Sequence, residues 1–115
     1  MPRTYDRQQA CPIARSLDIV GDRWTLLVLR DLRRGHSKFA DLLVSLQGIS
    51  PTVLSERLQS LEQDGLAARR FYSDHPPRAE YVLTPRGDSL APVLKALYDW
   101  GTEHAPRPPR TTAAR

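Results

Sequence analysis

The sequence predicts a mostly α-helical domain carrying one β-hairpin, in the order α-α-α-α-β-β-α, and three observations predict it. First, Ser50, Pro51 and Gly65 bracket a helix: a hydroxyl suited to the N-cap, a proline at the first helical position where its missing N–H costs nothing, and a glycine to close the end. Second, Leu54, Leu58 and Leu61 recur within it at i, i+4 and i+7, a narrow apolar stripe that must pack on something. Third, the period changes after Gly65, where LAARRFY and RAEYVLT flank the tip SDHPP as the two arms of a basic hairpin.

The remaining elements follow from their punctuation. Residues 1–10 (MPRTYDRQQA) read as a flexible arm, and residues 11–104 as the folded domain. Pro12 to Val20 opens with proline at N1 and stops at Gly21. Arg23 to Arg33 follows Asp22 as N-cap and closes at Gly35. Its Trp24, Leu26, Leu27, Val28, Leu29 and Leu32 surround nearly the whole helix, which places it at the centre of the core. Lys38 to Leu46 takes Ser37 as its cap, with Phe39, Leu42, Leu43 and Leu46 on one side and Gly48 at its end. The helix of residues 50–64 comes next, then the hairpin over 67–84, in which Tyr81 and Leu83 alternate toward the core. Pro85 to about His104 reads as one long helix capped by Thr84, with Leu90, Val93, Leu94, Leu97, Tyr98 and Trp100 on a broad apolar face. Pro92 lies inside it and is expected to bend it. Residues 105–115 (APRPPRTTAAR) lack acidic and large apolar side chains and read as a disordered basic tail, either weakly attractive to DNA or without a role.

At 115 residues the chain suits one domain with a modest core. A net charge of +4 suits a polyanionic partner, and 15 of the 17 basic residues are arginine, the better residue for forked contacts to phosphate and guanine. No apolar run approaches the ~20 residues of a membrane helix, and the amino terminus lacks a signal-peptide core. A cytoplasmic location is therefore expected, in agreement with the single Cys11. His36, His75 and His104 lie too far apart for a zinc site, and no arrangement suggests catalysis or a cofactor.

A helix that buries one stripe and leads into an arginine-bearing ribbon is the layout of a winged helix-turn-helix. The helix then enters the major groove of double-stranded DNA and the ribbon rests on the backbone or minor groove. With the leucines inward, Thr52, Glu56, Gln59 and Gln63 face outward, with Val53, Ser55 and Arg57 on the flanks. Thr52, Ser55 and Glu56 are the candidates for base or methyl contacts, and Gln59 is a weaker one. Arg57 suits a phosphate. Glu56 is equally an ordinary solvated carboxylate, since it faces phosphate at a cost unless it finds a donor. Arg69, Arg70 and Arg78 are the candidates in the hairpin, although Arg78 could equally be structural, tying the ribbon to Glu80 or the core. Lys38 and the helix start at Ser50 complete the set.

The terminal helices are too apolar on one side for a filled monomer core. Ile13, Leu17, Leu94, Leu97 and Trp100 are candidates for a dimer seam, or alternatively complete the monomer. A dimer would present two recognition helices to a pseudo-palindrome. Cys11 precedes Pro12 at an N-cap-like position with Arg15 one turn later, a positive environment suited to a reactive thiol. The alternative is a small buried residue without chemistry.

Taken together, CPI (Cys11–Ile13), LDIVGDRWTLLVLRDL (Leu17–Leu32), KFADL (Lys38–Leu42), GISPTVLSERLQSLEQDGL (Gly48–Leu66), PPRAEYVLTPRG (Pro76–Gly87) and LAPVLKALYDWG (Leu90–Gly101) closely resemble the HxlR-type regulators, a branch of the MarR-like winged-helix proteins. The likeness spans roughly residues 11–101. It implies a small homodimeric transcriptional regulator that binds inverted repeats through the Ser50 helix and the wing, as a repressor or an activator. It further implies a sensor cysteine at the Cys-Pro position, used by several such proteins against oxidants, quinones or aldehydes. With no second cysteine, Cys11 would act by alkylation, a mixed disulfide or a bond between subunits. Two other readings stay open: a ligand-gated regulator with an apolar pocket near the terminal helices, and a winged-helix module that binds protein.

Overall fold

The computed structural model describes residues 8–108, so most of the amino-terminal arm (residues 1–7) and of the basic tail (109–115) lies outside the described residues. The elements are α1 (Pro12–Val20), α2 (Thr25–Arg33), α3 (Phe39–Ser45), α4 (Pro51–Gln63), β1 (Ala67–Asp74), β2 (Pro77–Leu83), α5 (Pro85–Asp88) and α6 (Ala91–His104).

Local capping chemistry sets most boundaries. The Ser50 hydroxyl accepts from Val53 N at 3.1 Å, and Gly65 takes a left-handed φ of +73°, where a glycine carries no Cβ penalty. Asp22 serves α2 although the helix starts two residues later than expected: its Oδ1 accepts from the amides of Trp24 (2.8 Å) and Thr25 (2.9 Å). The expected cap of α3 is not formed. Ser37 turns its hydroxyl to Glu80 Oε1 (3.0 Å) instead, and α3 begins at Phe39 after Lys38, without a side-chain cap. An exposed helix end can draw on water, whereas the ribbon edge offers Ser37 a fixed acceptor.

The expected single helix from Pro85 to His104 is two. Thr84 caps α5, accepting from Gly87 N at 3.0 Å while donating to Gly65 O at 2.6 Å. The chain then breaks at Ser89–Leu90, and Pro92 falls in the first turn of α6, where it neither loses a bond nor bends anything. Tertiary contact dictates the break. Gly87 lies so close to the start of the hairpin that a Cβ there would stand 2.0 Å from Leu66 O, and Asp88 pairs with Arg33 of α2.

The hairpin is a two-stranded antiparallel sheet pairing Ala67 with Leu83, Arg69 with Tyr81 and Arg70 with Glu80, with a bulge between Phe71 and Ser73. Its base is stitched to the segment before α3 by a bond from Tyr81 N to Ser37 O (2.8 Å). Tyr81 and Leu83 pack against the core, as their alternation predicts.

The core forms around α2. Val28 and Leu29 meet Leu42 and Leu46, the α4 stripe Leu54, Leu58 and Leu61, and Leu66 at the entry to the ribbon. The α2 helix is not apolar all round, however. Leu27 lies at the surface, while Asp31 is wholly buried with Oδ1 on Arg30 Nε (2.9 Å) and Oδ2 without a partner among the described residues.

Candidate nucleic-acid interface

The stripe that docks α4 determines what the helix displays. Leu54, Leu58 and Leu61 are at most 1 % exposed, so Thr52, Ser55, Glu56 and Gln59 stand on the opposite, solvent-facing side, beginning at the capped terminus of Ser50. These hydroxyls, carboxylate and amide form a patch able to bond base edges, with backbone N–H groups at its head suited to a phosphate. Arg57 does not join that patch. It is half-buried on the flank, with its guanidinium 3.3 Å from Asp22 Oδ2, where it ties α4 to the start of α2. Burial pushes the Asp22 carboxyl up. The Thr25 hydroxyl, the amides of Trp24 and Thr25, and Arg57 outweigh it and hold the group below the ordinary carboxylate range.

In the ribbon the arginines divide. Arg69 lies 3.8 Å from Glu62 of α4 and stacks over Phe71 (5.6 Å to the ring centroid). Arg70 forks onto Glu80 Oε2 through Nε (3.1 Å) and a terminal nitrogen (2.7 Å). Arg78 is exposed beside the tip, and no carboxylate lies within ion-pair distance of it among the described residues. Arg70, then, and not Arg78, ties the ribbon to Glu80. The Arg70 and Ser37 hydrogen bonds hold the Glu80 carboxyl below its ordinary range, with the Lys38 charge adding to the effect. Lys38, exposed just before α3, places its ammonium 4.8 Å from the Tyr72 ring centroid.

Tyr72 was not singled out by sequence reasoning, and Glu80 entered it only as a partner for Arg78, whereas the structure gives it to Arg70. Counting outward from the hairpin tip would have paired Arg70 with Glu80, because directly opposed residues share a face. No comparable signal links Lys38 to Tyr72, which lie 34 positions apart.

Away from the ribbon, Ile13, Leu17, Leu97 and Trp100 are exposed, Trp100 at 62 %, while Leu94 is half-buried against the core. Cys11 is exposed at the N-cap of α1, and the Arg15 guanidinium donates to Gln9 O. Among the described residues no group of three or more His, Cys, Asp or Glu could hold a metal, and no helix is long and apolar enough to cross a membrane.

This architecture is shared with known proteins. Residues 19–109 match the model of the HxlR-like helix-turn-helix family. An uncharacterized HTH-type transcriptional regulator of Synechocystis sp. is 38% identical over 99 residues, covering 86% of this chain and 73% of its own. Among solved structures, the redox regulator HypR in its reduced form superposes with a TM-score of 0.77 at 28% identity, covering 83% of this chain and 94% of that one. The reduced form of the transcriptional regulator YodB from B. subtilis gives 0.70 at 29%, covering 82% and 93%.

Proposed function

The chain belongs to the HxlR-like helix-turn-helix family, a family of transcriptional regulators and not of enzymes, and on that premise we propose a dimeric, sequence-specific DNA-binding regulator switched through Cys11. Helix α4 enters the major groove, with Thr52, Ser55 and Glu56 at the base edges and Gln59 behind them, while the wing lies along the backbone or minor groove. The single observation that carries this reading is the outward polar face of α4 beside a cationic ribbon, both held rigidly by a leucine-filled core. The exposed Ile13, Leu17, Leu97 and Trp100, with Leu94 beneath, supply the apolar surface for a second copy. The exposed Cys11 and the likeness to HypR, a redox regulator, support a thiol signal.

Fluorescence anisotropy of the reduced protein on its own upstream intergenic DNA, with scrambled duplex as competitor at ~150 mM salt, tests the reading. Binding that survives the competitor supports it, and weak binding equal on both duplexes leaves either an operator elsewhere or a protein-binding module, with the module then ahead. Diamide or a quinone should then release DNA from the wild type and not from Cys11→Ser.

One observation favours a second reading, ligand gating without thiol chemistry. A groove of about 570 Å³ between α2 and α6 is lined by Leu26, Leu27 and Leu94 together with Arg30, Arg33 and Lys95, a lining suited to an amphipathic anion. In that case Cys11→Ser leaves the response to the effector intact.

A further inference from the structure

Lys38, Arg70 and Arg78 stand around the wing, and their surroundings differ in what they leave available to a phosphate. Arg70 is bound twice by Glu80 Oε2, and the other oxygen of Glu80 accepts from Ser37. To reach DNA, Arg70 would have to break a charge-assisted fork and leave a carboxylate facing the phosphates. Lys38 has no carboxylate within 4.0 Å among the described residues: its charge is felt by Glu80 without an ion pair forming, and the group its ammonium sits over is a ring face. A ring face attracts the ammonium without cancelling its charge and restrains a flexible stem that would otherwise lose rotamer freedom on binding.

We propose that Lys38, held by Tyr72, carries the phosphate contact at the base of the wing, and that Glu80 withdraws Arg70 from that role. Tyr72 and Glu80 are thus positioning residues for DNA recognition. Glu80 does two things at once: it joins the ribbon to the segment entering α3, and it keeps a strong, sequence-blind phosphate binder off the DNA. The inference rests on the DNA-binding reading above and deepens it.

The test is the dependence of affinity on salt, since each phosphate neutralised contributes about 0.9 to the slope of log K against log salt. It is measured on upstream and scrambled duplexes for wild type, K38A, Y72A, Y72F, R70Q and E80Q, each first checked for a cooperative thermal transition. K38A should lower the slope by about 0.9 per protomer. Y72A should weaken binding about two- to five-fold, and Y72F, which keeps the ring, should restore it. R70Q should leave the slope as it is. E80Q should raise it by about 0.9 per protomer and tighten binding to scrambled DNA, as Arg70 is released.

A slope unchanged in K38A, or lowered in R70Q, or unchanged in E80Q would overturn the assignment, and so would Y72F behaving as Y72A. If the wild type binds neither duplex, the DNA-binding reading fails and takes this inference with it. If it binds and the slopes disagree, only the inference fails.

Discussion

Replacing Asp22 by alanine should destabilise the fold more than any other single surface change, because one carboxylate serves three hydrogen-bond donors and an ion pair. Oδ1 accepts from the amides of Trp24 and Thr25, Oδ2 accepts from the Thr25 hydroxyl, and the Arg57 guanidinium forms an ion pair with Oδ2 at 3.3 Å. Loss of a helix cap costs about 0.5–2 kcal/mol. A partly exposed ion pair adds about 0.2–1 kcal/mol. Stranding the Thr25 hydroxyl, in a residue only 3% exposed, adds about 1 kcal/mol more. Because these effects share one group they do not add fully, and we expect about 2–3 kcal/mol in total. At roughly 4–8 °C per kcal/mol for a domain of this size, Tm should fall by about 10–20 °C.

The charge itself is tested by Asp22→Asn. The folded carboxyl lies below its ordinary value of 3.8, so its contribution is complete above that pH and is lost as the pH falls through the folded value. Urea unfolding followed by circular dichroism, at fixed protein concentration so that association does not intrude, should give a wild-type advantage over Asp22→Asn that is full near neutrality. That advantage should close below pH 3.8. An Asp22→Ala loss under 0.5 kcal/mol, or an Asn gap that stays constant from neutral to acid pH, would refute the account of Asp22 as cap and α2–α4 tie.

Three further outcomes follow from the packing. Leu58→Ala, at a position 1% exposed between α4 and the core, should cost about 2–5 kcal/mol in urea unfolding. Gly87→Ala would force a methyl to within 2.0 Å of Leu66 O and 3.0 Å of Leu83 Cδ2, so about 1–3 kcal/mol of stability should be lost, read as a lower unfolding midpoint. Ser50→Ala should cost about 1 kcal/mol by removing the acceptor for Val53 N, and should weaken DNA binding in anisotropy by loosening the helix end proposed to enter the groove.

What was legible in the sequence was whatever is decided within a few residues. Ser50, Pro51 and Gly65 bracket α4 because caps act over three or four positions, and the spacing of Leu54, Leu58 and Leu61 assigns its faces because a helix has one period. Asp22 was recognisable as a cap for the same reason, even though α2 starts later than expected. Motif spelling across most of the chain then sufficed for the family.

Tertiary structure alone decided the partners of the charged side chains. A charged side chain reaches whatever the fold brings near, so Arg57 went to Asp22, 35 positions away, and Ser37 left its helix for Glu80. It also decided that Pro92 starts a helix and does not bend one, because docking Gly87 on Leu66 and pairing Asp88 with Arg33 stop the preceding turn at Ser89. The sequence by itself determined which elements form and which faces are apolar, since those depend on local geometry and period. Which cations are left without a carboxylate beside them, among the described residues, was settled only when the fold brought carboxylates against some of them and not others.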